Sequence, residues 1–221
     1  MEPESLDMLL AMPENQNLKA LFNAIVEDDL SAVKEFLSLT PALAKCKLEG
    51  GATRQNSTDF FVEKLMHYLY TGDTALHVSA IAYSVEISEL LIRHGAEVRA
   101  KNRRGAEPLH YACDGSPNHS TWNSDAQNQI VLKLIELGAY PNCLDKSGVA
   151  PLHRAVRSRC TGAVRALIDG GADVNLANKS GSTPLLLATL TTGRGGSGSE
   201  ECKRECAAII DLLTQAGAHL S

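Results

Sequence analysis

Gly72-Asp-Thr-Ala-Leu-His77 returns three times along the chain, as Gly105-Ala-Glu-Pro-Leu-His110, Gly148-Val-Ala-Pro-Leu-His153 and Gly181-Ser-Thr-Pro-Leu-Leu186. The glycines are separated by 33, 43 and 33 residues. A second motif follows each copy: Gly95-Ala-Glu-Val-Arg99, Gly138-Ala-Tyr-Pro-Asn142, Gly171-Ala-Asp-Val-Asn175 and Gly217-Ala-His219. Two motifs held in phase predict a stack of similar units, each too small to bury an apolar face alone.

The unit is legible residue by residue. Gly72, Gly105, Gly148 and Gly181 suit a turn that needs positive φ. Thr74 and Thr183 suit a helix cap, and Pro108, Pro151 and Pro184 the first helical position. Gly95, Gly138, Gly171 and Gly217 suit the end of a second helix. A period near 33 around a Thr-Pro-Leu-His core resembles the ankyrin-repeat family.

The resemblance implies an all-α ankyrin-repeat solenoid of about five helix pairs with short finger hairpins. It implies that His77, His110 and His153 hydrogen-bond turn backbone and tie adjacent repeats together. It also implies a non-catalytic module that binds another protein through a concave face lined by first helices and finger tips.

The expected layout is a polar lead over residues 1–16, then a single repeat domain over 17–221. Repeats are expected near 17–45, 72–102, 105–142, 148–178 and 181–221. The first lacks the Thr-Pro-Leu-His core, as a terminal cap does. One long insert, residues 46–70, separates repeats one and two. Its run Asp59–Tyr70 holds Phe60, Phe61, Tyr68 and Tyr70 and reads as an elongated hairpin rather than a helix. Two further insertions lie between paired helices. One, residues 114–125, carries Trp122, with Asn123 and Ser124 as candidate caps for a helix over Ala126–Leu137. The other includes residues 191–199, after which a helix is expected over Glu200–Gln215.

Composition is that of an ordinary globular chain: 44% hydrophobic and 21% charged in 221 residues. The acidic start Met1-Glu-Pro-Glu4 is unlike a signal peptide, and no long apolar run predicts a membrane span. The expected compartment is the cytoplasm, where the six cysteines are thiols. Cys202 and Cys206 share a helix face but lack companions for a zinc set, so neither metal nor cofactor is expected.

Charge is unevenly spread. Residues 1–98 carry a net −8 and residues 99–194 a net +5. Lys101, Arg103, Arg104, Lys146 and Lys179 map to fingers, Arg157 and Arg159 to a first helix and its link, and Arg194 to an inserted loop. This basic strip, with Tyr68, Tyr70 and Trp122, is the candidate partner surface, suited to an acidic protein. One alternative is a small-anion or nucleotide sensor built on the Arg-rich face and the loop Gly193–Ser199. There Cys160, beside Arg157 and Arg159, is a candidate for a lowered thiol pKa. A second alternative is a self-associating scaffold; otherwise a monomer is expected. No nucleic-acid motif is present.

Overall fold

A computed structural model of the protein describes residues 14–115, 122–190 and 200–220. It contains five antiparallel helix pairs: α1 (Glu14–Val26) with α2 (Leu30–Leu39), α3 (Ala75–Ile81) with α4 (Val85–Arg93), α5 (Pro108–Ala112) with α6 (Ser124–Glu136), α7 (Pro151–Arg157) with α8 (Thr161–Asp169), and α9 (Pro184–Thr189) with α10 (Glu200–Gln215). First helices pack on first helices and second on second, so two parallel rows run the length of the stack. Leu21, Ile25, Leu76, Leu91, Leu109, Ile130, Leu152 and Leu167 form the continuous core between the rows.

Local chemistry places the helix ends. Pro108, Pro151 and Pro184 open α5, α7 and α9, where the missing N–H leaves no bond unmade. Thr183 Oγ1 accepts from Leu186 N at 3.2 Å. α4 ends in a Schellman motif, with Gly95 N–H donating to Ile92 O and Ala96 N–H to Leu91 O, both at 2.9 Å. The same pair of bonds closes α6, α8 and α10. Helices α1, α3 and α7 use the same closure with Asp28, Tyr83 and Arg159 in the left-handed region.

The turn glycines are required where fingers stack. A Cβ on Gly148 would sit 2.9 Å from Lys179 N, and its φ is +70°. The close approach allows one backbone bond per finger step: Arg103 N–H to Thr71 O at 2.7 Å, Lys146 N–H to Arg104 O at 2.9 Å, and Lys179 N–H to Ser147 O at 3.3 Å. Three of the finger turns are also held by an Asx side chain. Asn102 Oδ1 accepts from Arg104 N and Ala106 N, Asp145 Oδ1 from Ser147 N and Val149 N, and Asn178 Oδ1 from Ser180 N and Ser182 N, all at 2.8–3.0 Å.

Between the first two pairs the chain forms a short antiparallel hairpin. Strand β1 (Phe61–Val62) pairs with β2 (His67–Tyr68), Phe61 opposite Tyr68 and Val62 opposite His67. A 3₁₀ turn over Glu63–Leu65 and a left-handed Met66 make its tip. Lys64 ties the tip to Glu27 of the α1–α2 link at 2.9 Å.

Two details differ from the sequence expectation. Helix α1 runs from Glu14, inside the stretch read as a polar lead. Helix α6 starts two residues early, because Asn123 Oδ1 accepts from Asp125 N and Ala126 N, both at 3.0 Å.

Candidate functional site

The first-helix row, the fingers and the inserted hairpin share one face of the stack. Its structural fixings are the three imidazoles. Nδ1 of His77, His110 and His153 accepts from the backbone N–H three residues earlier, at 3.2, 3.1 and 3.1 Å. Each Nε2–H donates to a carbonyl of the next finger: Ala106 at 3.1 Å, Val149 at 2.9 Å and Ser182 at 3.1 Å. Both nitrogens are engaged and the rings are buried, so these groups are ties between repeats. Burial pushes all three pKa values down, that of His110 to about 3 with Arg154 adding to the effect.

A cavity of about 190 Å³ opens on this face. Met66, Tyr68 and Tyr70 come to it from the insert, Arg104 and Ser147 from fingers, and Arg154 and Arg157 from α7. Its floor is locked. Tyr111 Oη donates to the buried Asp73 carboxylate at 2.8 Å, and Asn102 Nδ2 donates to Asp73 Oδ1 at 2.8 Å. Arg154 donates to Asp114 at 2.8 Å and Asp145 at 3.2 Å. Burial works against the Arg154 charge, yet Asp114, Tyr111 and Asp145 outweigh it and raise its pKa. A second cavity of about 180 Å³ lies across Met66 and His67, lined by Ile25, Leu65, Ile81 and Trp122 among others.

The basic residues expected to form one strip divide into three groups. Lys101 lies 3.6 Å from the fully buried Glu107 carboxylate. Arg103 Nη2 donates to Ala52 O at 2.8 Å, which fastens the insert to the finger. Lys179 Nζ donates to Lys146 O at 2.7 Å, leaving the exposed Lys146 side chain beside it. Arg104 and Arg157 are exposed and open onto the cavity, and among the described residues neither has a carboxylate within 4.0 Å.

Arg159 is a correction. It sits in the αL position that ends α7 and is only 6% exposed, so it is no part of an open basic surface. The next repeat covers it: Arg159 faces a small cavity together with Leu187 and Ala188 of α9 and Cys206 and Ile209 of α10. Cys160 is a second correction: its thiol is buried, and burial pushes its pKa up to about 12 rather than down. Arg194 and the loop Gly193–Ser199 lie outside the described residues.

Of the aromatics, Tyr68 packs on Phe61 with ring centroids 4.8 Å apart. Tyr70 carries Arg104 on its face. Trp122 is half-buried and donates from Nε1 to Gln127 Oε1 at 3.1 Å. The Asp73–Tyr111–Asn102 cluster went unread in the sequence. Its signal is an acid in the turn where other copies have Ala106, Val149 and Ser182, and a tyrosine directly after the motif histidine.

Among the described residues no group of three or more His, Cys, Asp and Glu could hold a metal. None of their helices is long and apolar enough to cross a membrane.

Residues 21–122 and 119–204 match the family described as ankyrin repeats (3 copies). Ankyrin repeat and SOCS box protein 6 of Homo sapiens is 30% identical over 155 residues, 66% of this chain and 35% of the relative. B-cell lymphoma 3 protein of Homo sapiens is 34% identical over 193 residues, 84% of this chain and 36% of the relative. Ankyrin repeat and SOCS box protein 16 of Mus musculus is 32% identical over 114 residues, 51% of this chain and 24% of the relative. The chain thus spans about a third or less of the length of these relatives. Matched over most of its length and built from five stacked helix pairs, the chain belongs to the ankyrin-repeat family.

Proposed function

We propose that this chain is a non-catalytic protein-interaction module that engages its partner on the finger face, at the cavity beside the inserted hairpin. Ankyrin repeats generally mediate protein–protein interaction. The observation that favours this region is the pair Arg104 and Arg157, two exposed guanidiniums on one cavity without a carboxylate partner among the described residues. Charged donors left open beside aromatic walls favour a partner with an acidic surface. The raised Cys160 pKa speaks against a reactive thiol there. Cys46, Cys113, Cys143, Cys160 and Cys206 as thiols fit a reducing compartment such as the cytoplasm.

Affinity capture from a native lysate tests the reading, with wild type compared against Arg104→Glu/Arg157→Glu. A protein retained by wild type and lost from the variant is the expected result. Identical capture by both baits would remove the basic rim from the binding surface.

A further inference from the structure

We infer that the cavity lined by Arg104, Arg157, Tyr68 and Tyr70 seats one acidic side chain, a glutamate or aspartate, presented by a partner polypeptide. This rests on the protein-binding reading above and names the chemistry that the face recognises.

Size is the first argument. At about 190 Å³ the cavity far exceeds the roughly 10–15 Å³ that admits one water. It falls below the roughly 300 Å³ at which ordinary cofactor and nucleotide pockets begin. A single side chain of several heavy atoms fits between these limits.

Charge is the second. Three guanidiniums line the cavity, and the two carboxylates there, Asp114 and Asp145, are both taken by Arg154. That leaves Arg104 and Arg157 as two positive groups with nothing of opposite sign among the described residues within 4.0 Å. The sign at the rim therefore calls for an anion. The two carboxylates in the floor repel a doubly charged phosphate more than a singly charged carboxylate.

Preorganisation is the third. Arg104 Nη1 donates to Tyr70 Oη at 2.8 Å, and its guanidinium lies over the Tyr70 ring. Nε and Nη2 have no partner among the described residues, so a held fork presents two donors to one carboxylate. Tyr68 and Tyr70 supply apolar walls for the methylene groups, and the Ser147 hydroxyl lies on the same lining. The insert contributes both tyrosines, so the seat belongs to this chain and not to the repeat as such.

The test titrates N-acetyl-glutamate N-methylamide into the ¹⁵N-labelled full chain at fixed ionic strength, following arginine Nε–Hε and backbone signals. N-acetyl-glutamine N-methylamide is the neutral control. Saturable, roughly millimolar binding is expected with the glutamate compound, with shifts confined to Arg104, Arg157 and Tyr70, and none with the glutamine compound. Arg157→Gln, an exposed position whose change leaves the core intact, should weaken binding about tenfold, as should Arg104→Lys, which keeps charge and loses the fork. Equal shifts with the glutamine compound, or shifts spread evenly over Arg93, Lys146 and Lys179, overturn the assignment. Tighter binding of acetate or inorganic phosphate than of the glutamate compound also overturns it, in favour of a small-anion site. A failed titration with capture still lost in Arg104→Glu/Arg157→Glu removes the seat and leaves the protein-binding reading. Failure of both removes that reading as well.

Discussion

The guanidinium of Arg104 lies 4.8 Å from the centre of the Tyr70 ring while its Nη1 donates to the hydroxyl oxygen of the same residue at 2.8 Å. A finger and the inserted hairpin are thereby joined, and an otherwise mobile side chain is aimed. Tyr70→Phe keeps the ring face and removes the hydroxyl. Urea unfolding should shift by less than about 1.5 kcal/mol, while NMR relaxation shows a lower order parameter at the Arg104 Nε–Hε.

Two arginines three residues apart on α7 should respond in opposite ways. Arg154 is enclosed between Asp114 and Asp145. Arg154→Ala leaves two carboxylates facing each other without a cation, and a loss of about 3–5 kcal/mol in denaturant unfolding is expected. Arg157→Ala, which removes no ion pair among the described residues, should change stability by no more than about 0.5 kcal/mol and act only on binding.

The carboxylate of Asp73 is fully buried and accepts from Tyr111 Oη, Asn102 Nδ2 and Tyr70 N. Tyr111→Phe removes one donor without adding volume. Chemical denaturation should record a loss of about 1–3 kcal/mol, and the hairpin amides should exchange faster, since Tyr70 N–H shares the same carboxylate.

Acid should destabilise the stack before it reaches the carboxylates. The folded pKa of His77, His110 and His153 lies below the ordinary 6.5 because burial disfavours the charged ring. Below pH 6.5 the unfolded chain takes protons that the native rings refuse. Stability is complete above that pH and falls as pH drops towards the folded values, about 3 for His110. Each imidazole contributes a slope of about 1.4 kcal/mol per pH unit. Asp145 is held below the ordinary 3.8, since backbone N–H groups and Arg154 outweigh its burial, so its contribution persists until lower pH. Urea unfolding at pH 7.5, 6.0 and 5.0 should show the slope, flattened by about one proton in His110→Gln.

Thiol labelling should divide the cysteines by burial. Cys113, Cys143 and Cys160 are buried, and burial raises the pKa of each. Cys46 and Cys206 are partly exposed. Brief treatment of the native chain with iodoacetamide, read by peptide mass spectrometry, should modify Cys46 and Cys206 and spare Cys113, Cys143 and Cys160. Labelling of Cys160 at the rate of Cys206 would show that the α7–α8 link opens.

The sequence by itself determined the repeat, the helix starts and the turns. Those rest on properties a residue carries wherever it stands: the free φ of Gly148, the missing N–H of Pro151, the short acceptor of Thr183. The tertiary structure alone decided which charges remain open. Arg154, Arg157 and Arg159 lie within six positions and read alike as sequence. Helix geometry turns Arg154 towards acids 40 and 9 residues away, the last helix pair covers Arg159, and of the three only Arg157 is left at the rim. An ion pair depends on distance in space, so residues far apart in the chain set which arginine is spent and which can meet a partner.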